Sequence, residues 1–334
     1  MPHANIENET PFAFEQVYVA DEHGRPLLTL VVKATYDIHG EELRLAPKQV
    51  PVNLGGESWG EPGESSYKYE PECAFTKLTT DVALIGHAYP LQKSATEVWV
   101  ALQVGPLKKM VRVVGERTWF KSMGKVSMTK PLPFERMPLT WERAFGGWDR
   151  TDTQKPAFEP RNPVGVGFRA SPRHFEEGLK LPNLEDPEAP LREFGQRVTP
   201  VGFGFTSPHW QPRAAYAGTY DEAWNKTRKP LLPRDFDQRF FNAAAPGLIA
   251  PSHLKGGEPV IIANASPKGR LAFSLPRQTP PAVTIRMGGS ITPQLHLDTV
   301  ILDTDAHQVL LLWRGFVLLD RGPHDVRGIS MRLV

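Results

Sequence analysis

His296, Asp298, Asp303, Asp305 and His307 crowd one short stretch near the end of the chain, several of them at alternate positions that a strand would send to one side. Imidazole and carboxylate groups so placed could hold a divalent cation. The spacing matches no established ligand pattern, however, and reads as a hairpin turn with its polar residues facing water. Gly165-Val166-Gly167-Phe168-Arg169-Ala170 has the G-x-G-x-x-A form of a dinucleotide-binding turn. That turn cradles a pyrophosphate only where a strand runs into a helix, and here Asn162-Pro163 stands before it and Pro172 after it. For nucleophilic chemistry the chain lacks G-x-S-x-G, H-E-x-x-H and a P-loop. His87 falls in a strand-like run and reads as a packed or edge histidine, and Cys73 as a small buried apolar residue. No catalytic residue, metal or cofactor is assigned, and the expectation is a binding protein, not an enzyme.

What remains is a recurrent grouping of arginine, aromatic and acidic residues. Trp141, Arg143, Phe145, Arg161, Asn162, Trp210, Arg213, Tyr220, Asp221, Asp235 and Asp237 carry it. Guanidinium groups stack on rings and pair bidentately with carboxylates, so these residues suit either of two roles. They can staple an irregular segment from inside, or they can anchor a partner protein.

The elements that must position them are predicted to be mainly β. Runs at Phe14–Ala20 and Leu27–Ile38 flank a polar Gly/Pro turn, as a hairpin requires. Asp81–Tyr89, Glu97–Val104 and Lys108–Val114 follow, and Val98, Val100, Leu102 and Val104 share one face at the strand period. Residues 131–251 differ in texture, holding 17 of the 33 prolines, so regular structure should be sparse there. Their aromatic content is too high for a disordered linker. Gly146-Gly147 and Asn162-Pro163 mark enforced turns. One helix is expected from Thr219, capped by Thr219-x-x-Glu222 and ended by Pro230, with a further helical turn in Asp235–Ala243. Strands return at Glu258–Ala263, Arg270–Leu275, Ala282–Met287, Leu295–Leu302 and Gln308–Trp313. The resulting expectation is antiparallel sandwich or barrel-like sheets at both ends (residues 1–130 and 252–334) around a Pro/Gly-rich irregular layer with few short helices, forming one cooperative unit.

The totals exclude several classes. Net charge is only +2 and no basic arm is present, which disfavours nucleic acid. The strongest apolar run, Val309–Trp313, is cut by Arg314, so no membrane span is expected. With one cysteine and no apolar leader, a cytoplasmic location is expected.

A series of segments, in order along nearly the whole chain, carries a family likeness. It includes Thr80-Asp81-Val82, Gly86-His87-Ala88, Gly115-Glu116-Arg117-Thr118-Trp119, Glu142-Arg143-Ala144-Phe145-Gly146-Gly147, Arg161-Asn162-Pro163-Val164-Gly165, Trp210-Gln211-Pro212-Arg213, Pro230-Leu231-Leu232-Pro233-Arg234-Asp235 and Leu297-Asp298-Thr299-Val300. Together these resemble the accessory (adaptor or chaperone) proteins of type VI secretion systems, although Glu116 stands where that pattern has Asp. The resemblance implies a cytoplasmic adaptor that loads a toxic effector onto the secretion spike. Its implied partners are the effector, the VgrG spike protein and a PAAR-like tip protein, with no catalytic residues. Two other readings stand beside it: a β-scaffold hydrolase using Asp235/Asp237 or Asp221 with an arginine, and a structural part of the spike.

Overall fold

The structure is a computed structural model that describes residues 5–333. It is mainly β with a few short helices. The strand Pro26–His39, PLLTLVVKATYDIH, is buried on both faces along nearly its whole length, as its almost unbroken apolar run demands. It sits inside a six-stranded sheet ordered Ala13–Ala20, Pro26–His39, Gln308–Leu318, His296–Asp303 and Asp81–Ile85, with Glu42–Leu45 also paired to it. The first hairpin matches its expected place, with Ala13 opposite Lys33 and Ala20 opposite Pro26.

A second sheet runs Leu184–Glu185, Leu107–Val114, Glu97–Val104, Pro259–Ala263 and Arg270–Ser274. Glu97–Val104 alternates exposed and buried residues, so this sheet has one covered face and one open face. The largest apolar cluster takes Leu28, Leu30 and Trp313 from the first sheet and Val100, Leu102 and Val260 from the second. A smaller cluster covers the other face of the first sheet with Val50, Val52, Tyr67 and Tyr69.

Separate sheets at the two ends are not formed, which corrects the sequence-based expectation. Trp313 pairs with Val32, and Val260 with Val104, so strands from the two ends interleave in both large sheets. Pairing across the whole chain buries runs such as Pro26–His39 that neither end could cover alone. Between Leu139 and Ala250 the longest regular element is the six-residue helix Glu222–Thr227. Its cap is Asp221, not Thr219: the Asp221 side chain accepts from Trp224 N, while Thr219 is tied up by Asp235. A 3₁₀ turn at Gln238–Phe241 lies within the second expected helical stretch.

Candidate functional site

Beneath one surface of the first sheet lies a row of buried ion pairs. Lys77 leads directly into the Asp81–Ile85 strand, and its ammonium meets Glu70, Asp81 (2.7 Å) and the Thr299 hydroxyl (3.0 Å). Those acceptors use all three of its donors. Burial alone would depress the Lys77 pKa, but the carboxylates of Asp81 and Glu70 outweigh it and hold the ammonium charged. It is therefore a staple and not a free nucleophile. Burial, reinforced by the neighbouring Asp81 carboxylate, lifts the Glu70 carboxyl above its ordinary range against the pull of Lys77. Asp81 also accepts Asn242 Nδ2 at 2.9 Å and Ala243 N at 2.8 Å.

A few residues away Arg314 and Asp298, both buried, lie 3.1 Å apart. Their contact is an ion pair without hydrogen-bond alignment, and Arg314 Nη1 has no acceptor among the described residues. Lys33 and Glu72 form a further buried pair at 2.7 Å.

Above these pairs, two of the surface depressions meet at Leu78. The larger, about 630 Å³, has Arg314 and Asp298 on its floor and Phe75, Ile291, Phe316 and Leu318 on its walls. The smaller, about 360 Å³, is lined by Pro212, Arg213, Tyr216, Pro246 and Ile249. Leu78 borders both. Leu78, Ile249, Ile291, Phe316 and Leu318 are each 40 to 47% exposed, so large apolar side chains gather in one place facing water. His253 stacks on His296 at the margin, ring centroids 4.7 Å apart, and burial followed by the neighbouring imidazole lowers the His253 pKa.

The residues singled out from the sequence fall into two groups. Trp141 and Trp210 are buried and meet edge to face at 5.8 Å, and Phe145 is buried against Phe168. Asn162 Nδ2 donates to Trp141 O at 2.8 Å and Phe145 O at 3.0 Å. Arg143 binds Glu116 and Asn183, Arg161 binds Glu159 and Val198 O, and Arg213 binds Phe240 O and Thr206 O. Tyr220, Asp221 and Asp235 are exposed and Asp237 half-buried; the three acids accept local bonds from Trp224, Thr219 and Arg239. Of the eleven, only Arg213 borders the depressions around Leu78.

Two readings of single residues are corrected. Cys73 is exposed, because the turn it occupies turns Glu72 and Phe75 inward instead. Asp298 and Asp303 point into the protein, not to water: the first meets Arg314 and the second accepts the Tyr69 hydroxyl at 2.6 Å. Around Gly165 and Gly167 the backbone serves packing, since a Cβ on Gly165 would lie 2.4 Å from Asn162 Nδ2. Among the described residues no group of three or more His, Cys, Asp or Glu is placed to hold a metal, and no helix is long and apolar enough to cross a membrane.

Residues 23–314 match the family described as "Uncharacterized protein conserved in bacteria (DUF2169)". The chain belongs to that family. No curated protein and no solved structure matches it. The matched stretch takes in Leu78, Ile249, Ile291 and the Asp298–Arg314 pair, and stops just short of Phe316 and Leu318. The exposed apolar group was not singled out from the sequence, because Leu78 and Phe316 read as ordinary apolar residues until the fold shows them converging. Arg314 did leave a signal, as a charge interrupting an apolar strand.

Proposed function

We propose that this chain is an adaptor that binds a partner polypeptide on the surface around Leu78. The convergence of Leu78, Ile249, Ile291, Phe316 and Leu318 at the surface carries this reading, since exposed apolar groups of this kind mark interaction sites. The resemblance to type VI secretion accessory proteins supplies the biological setting: a cytoplasmic chaperone for a toxic effector, delivering it to VgrG and a PAAR-like tip protein. On this reading the internal staples Trp141, Phe145, Arg161, Asn162 and Trp210 hold residues 131–251 as an irregular layer packed on the sheets. Tyr220, Asp221, Asp235 and Asp237 then form a polar outlying part of the contact surface.

The test is capture from a native lysate of the parent bacterium with the purified full chain, beside Leu78→Asp. A toxin and spike proteins retained by the parent and lost with Leu78→Asp, at unchanged melting temperature, support the proposal. Capture of no secretion-system protein, or equal capture by both chains, overturns it.

A further inference from the structure

The larger depression is also a break in the sheet. The strand Gln308–Leu318 pairs with Pro26–His39 along its full length, down to Leu318 opposite Leu27. On its other edge it pairs with His296–Asp303 only as far as Arg314 opposite His296. Among the described residues, Gly315 to Leu318 therefore have a strand on one side only. Gly315 explains the departure: a Cβ there would lie 2.5 Å from Gln294 O and 2.7 Å from a Leu295 methyl, so the chain before His296 crosses over this glycine and leaves the sheet plane.

The direction of the main-chain groups follows from two bonds that bracket the strand. Ile38 N donates to His307 O, and Leu319 N to Pro26 O, so odd-numbered residues turn their amides and carbonyls toward Pro26–His39. Phe316 and Leu318 must then turn theirs the other way, toward the break. No hydrogen bond outside the pairing with Pro26–His39 joins Gly315–Leu318 to the described residues on that side. These residues line the 630 Å³ depression together with Ile291, Pro293 and Gln294. Arg314 Nη1, buried and without an acceptor, belongs to the same floor.

From this geometry we infer that the depression receives an extended segment of the partner polypeptide, which adds to the free edge of Gln308–Leu318 as a β-strand. The main chain of the segment bonds to Phe316 and Leu318, continuing the position that His296–Asp303 leaves. Its apolar side chains pack on Phe75, Phe316 and Leu318, and one of its carbonyls faces Arg314. Main-chain bonds of this kind give affinity while the side-chain pockets select the sequence. Paired with Asp298, Arg314 suits a neutral acceptor better than a second carboxylate.

The inference rests on the partner-binding reading and can fail separately from it. A phage-displayed library of random short peptides is panned on the full chain, with Leu318→Pro as the counter-target. Proline there deletes an amide that bonds nothing among the described residues. The expected result is a set of peptides with alternating apolar and β-branched residues that bind the parent chain. They should bind Leu318→Pro at least roughly tenfold more weakly, at similar melting temperature. Failure to enrich any peptide, or equal binding to both chains, overturns the inference. Should Leu318→Pro not fold, amide exchange on the parent chain decides. Phe316 and Leu318 should exchange freely and Gly315 and Val317 slowly, with the first two slowed by a selected peptide. Protection of Phe316 and Leu318 in the free chain removes the open edge and with it the inference. Selected peptides that bind this edge while the lysate yields no secretion-system protein sink the adaptor and leave the strand; capture of toxin and spike with no peptide at Leu318 does the reverse.

Discussion

Asp298 reaches Arg314 because it sits in a bulge. The register between His296–Asp303 and Gln308–Leu318 shifts between Leu297 and Thr299, which leaves Asp298 as the extra residue and brings its carboxylate 3.1 Å from the guanidinium. Bulges commonly re-aim one side chain in this way. Both groups are nearly sealed from water, and the pair forms the floor of the larger depression.

Removing one partner should therefore cost more than removing both. Asp298→Asn leaves a buried guanidinium without its counter-charge, and a loss of about 3–5 kcal/mol is expected. Asp298→Leu with Arg314→Met replaces the pair by apolar groups and should recover most of that loss. Denaturant unfolding of the three chains measures it. A cost below about 1 kcal/mol for Asp298→Asn would show that the pair is not sealed as described.

Trp141 and Trp210 touch edge to face at 5.8 Å, and Gly202 lies under the Trp141 ring, where even a Cβ would come within 3.2 Å. Alanine at either tryptophan should cost about 3–5 kcal/mol. The two losses should not add, because the second truncation enlarges a cavity the first has already opened. Additive losses in a double-mutant cycle would mean that the rings are energetically independent.

Asp149 gives a prediction about pH. Burial alone would raise its pKa, but hydrogen bonds from His174, Ala170 N and Thr151 N outweigh that and hold the carboxyl well below its ordinary 3.8. A depressed folded-state value contributes stability that is fully present above the unfolded pKa and is lost as pH falls from there through the lower folded-state value. The parent chain should thus lose stability as pH drops below about 4, whereas Asp149→Asn should lack that component and be weaker at neutral pH by about 2 kcal/mol. Melting temperatures across the acid range compare them; parallel curves would contradict the assignment.

The strands were legible because their apolar periods are long and their turns carry Gly and Pro, as at Glu97–Val104, where the predicted and observed spans coincide. From the sequence, the strand Gln308–Leu318 ends at Trp313, since a charged Arg314 argues against a buried strand until Asp298 is seen to neutralise it. The partnering of strands from opposite ends was not legible, because alternation gives a strand its faces but not its neighbours. For the same reason Leu78 and Phe316 stayed hidden, while Trp141 and Asn162 stood out by type alone.

Gly146 and Asn162 read from the sequence as turn residues, and the structure gives them a joint task. Gly146 has φ of +152°, and a Cβ there would lie 2.1 Å from Asn162 O and 2.9 Å from Asn162 Cβ. Asn162 cannot withdraw, because its carbonyl accepts Gly147 N at 2.9 Å while its amide holds Trp141 O and Phe145 O. Gly146→Ala therefore combines a disfavoured backbone angle with a backbone clash, and a loss of about 3 kcal/mol or more is expected. Asn162→Ala should cost about 1–3 kcal/mol by removing the side-chain donor to the Phe145 carbonyl and leaving the Trp141 carbonyl with Ala144 N alone, and it should rescue Gly146→Ala only slightly, since the nearest clash is with the Asn162 main chain. The surface around Leu78, which neither residue lines, should keep its peptide-binding strength in whatever fraction of either variant stays folded. Thermal unfolding and peptide titration of the same samples check both halves of the prediction. If Gly146→Ala melts with the parent chain, the packing of Asn162 against the Phe145–Gly146 bridge is not what holds this segment in place.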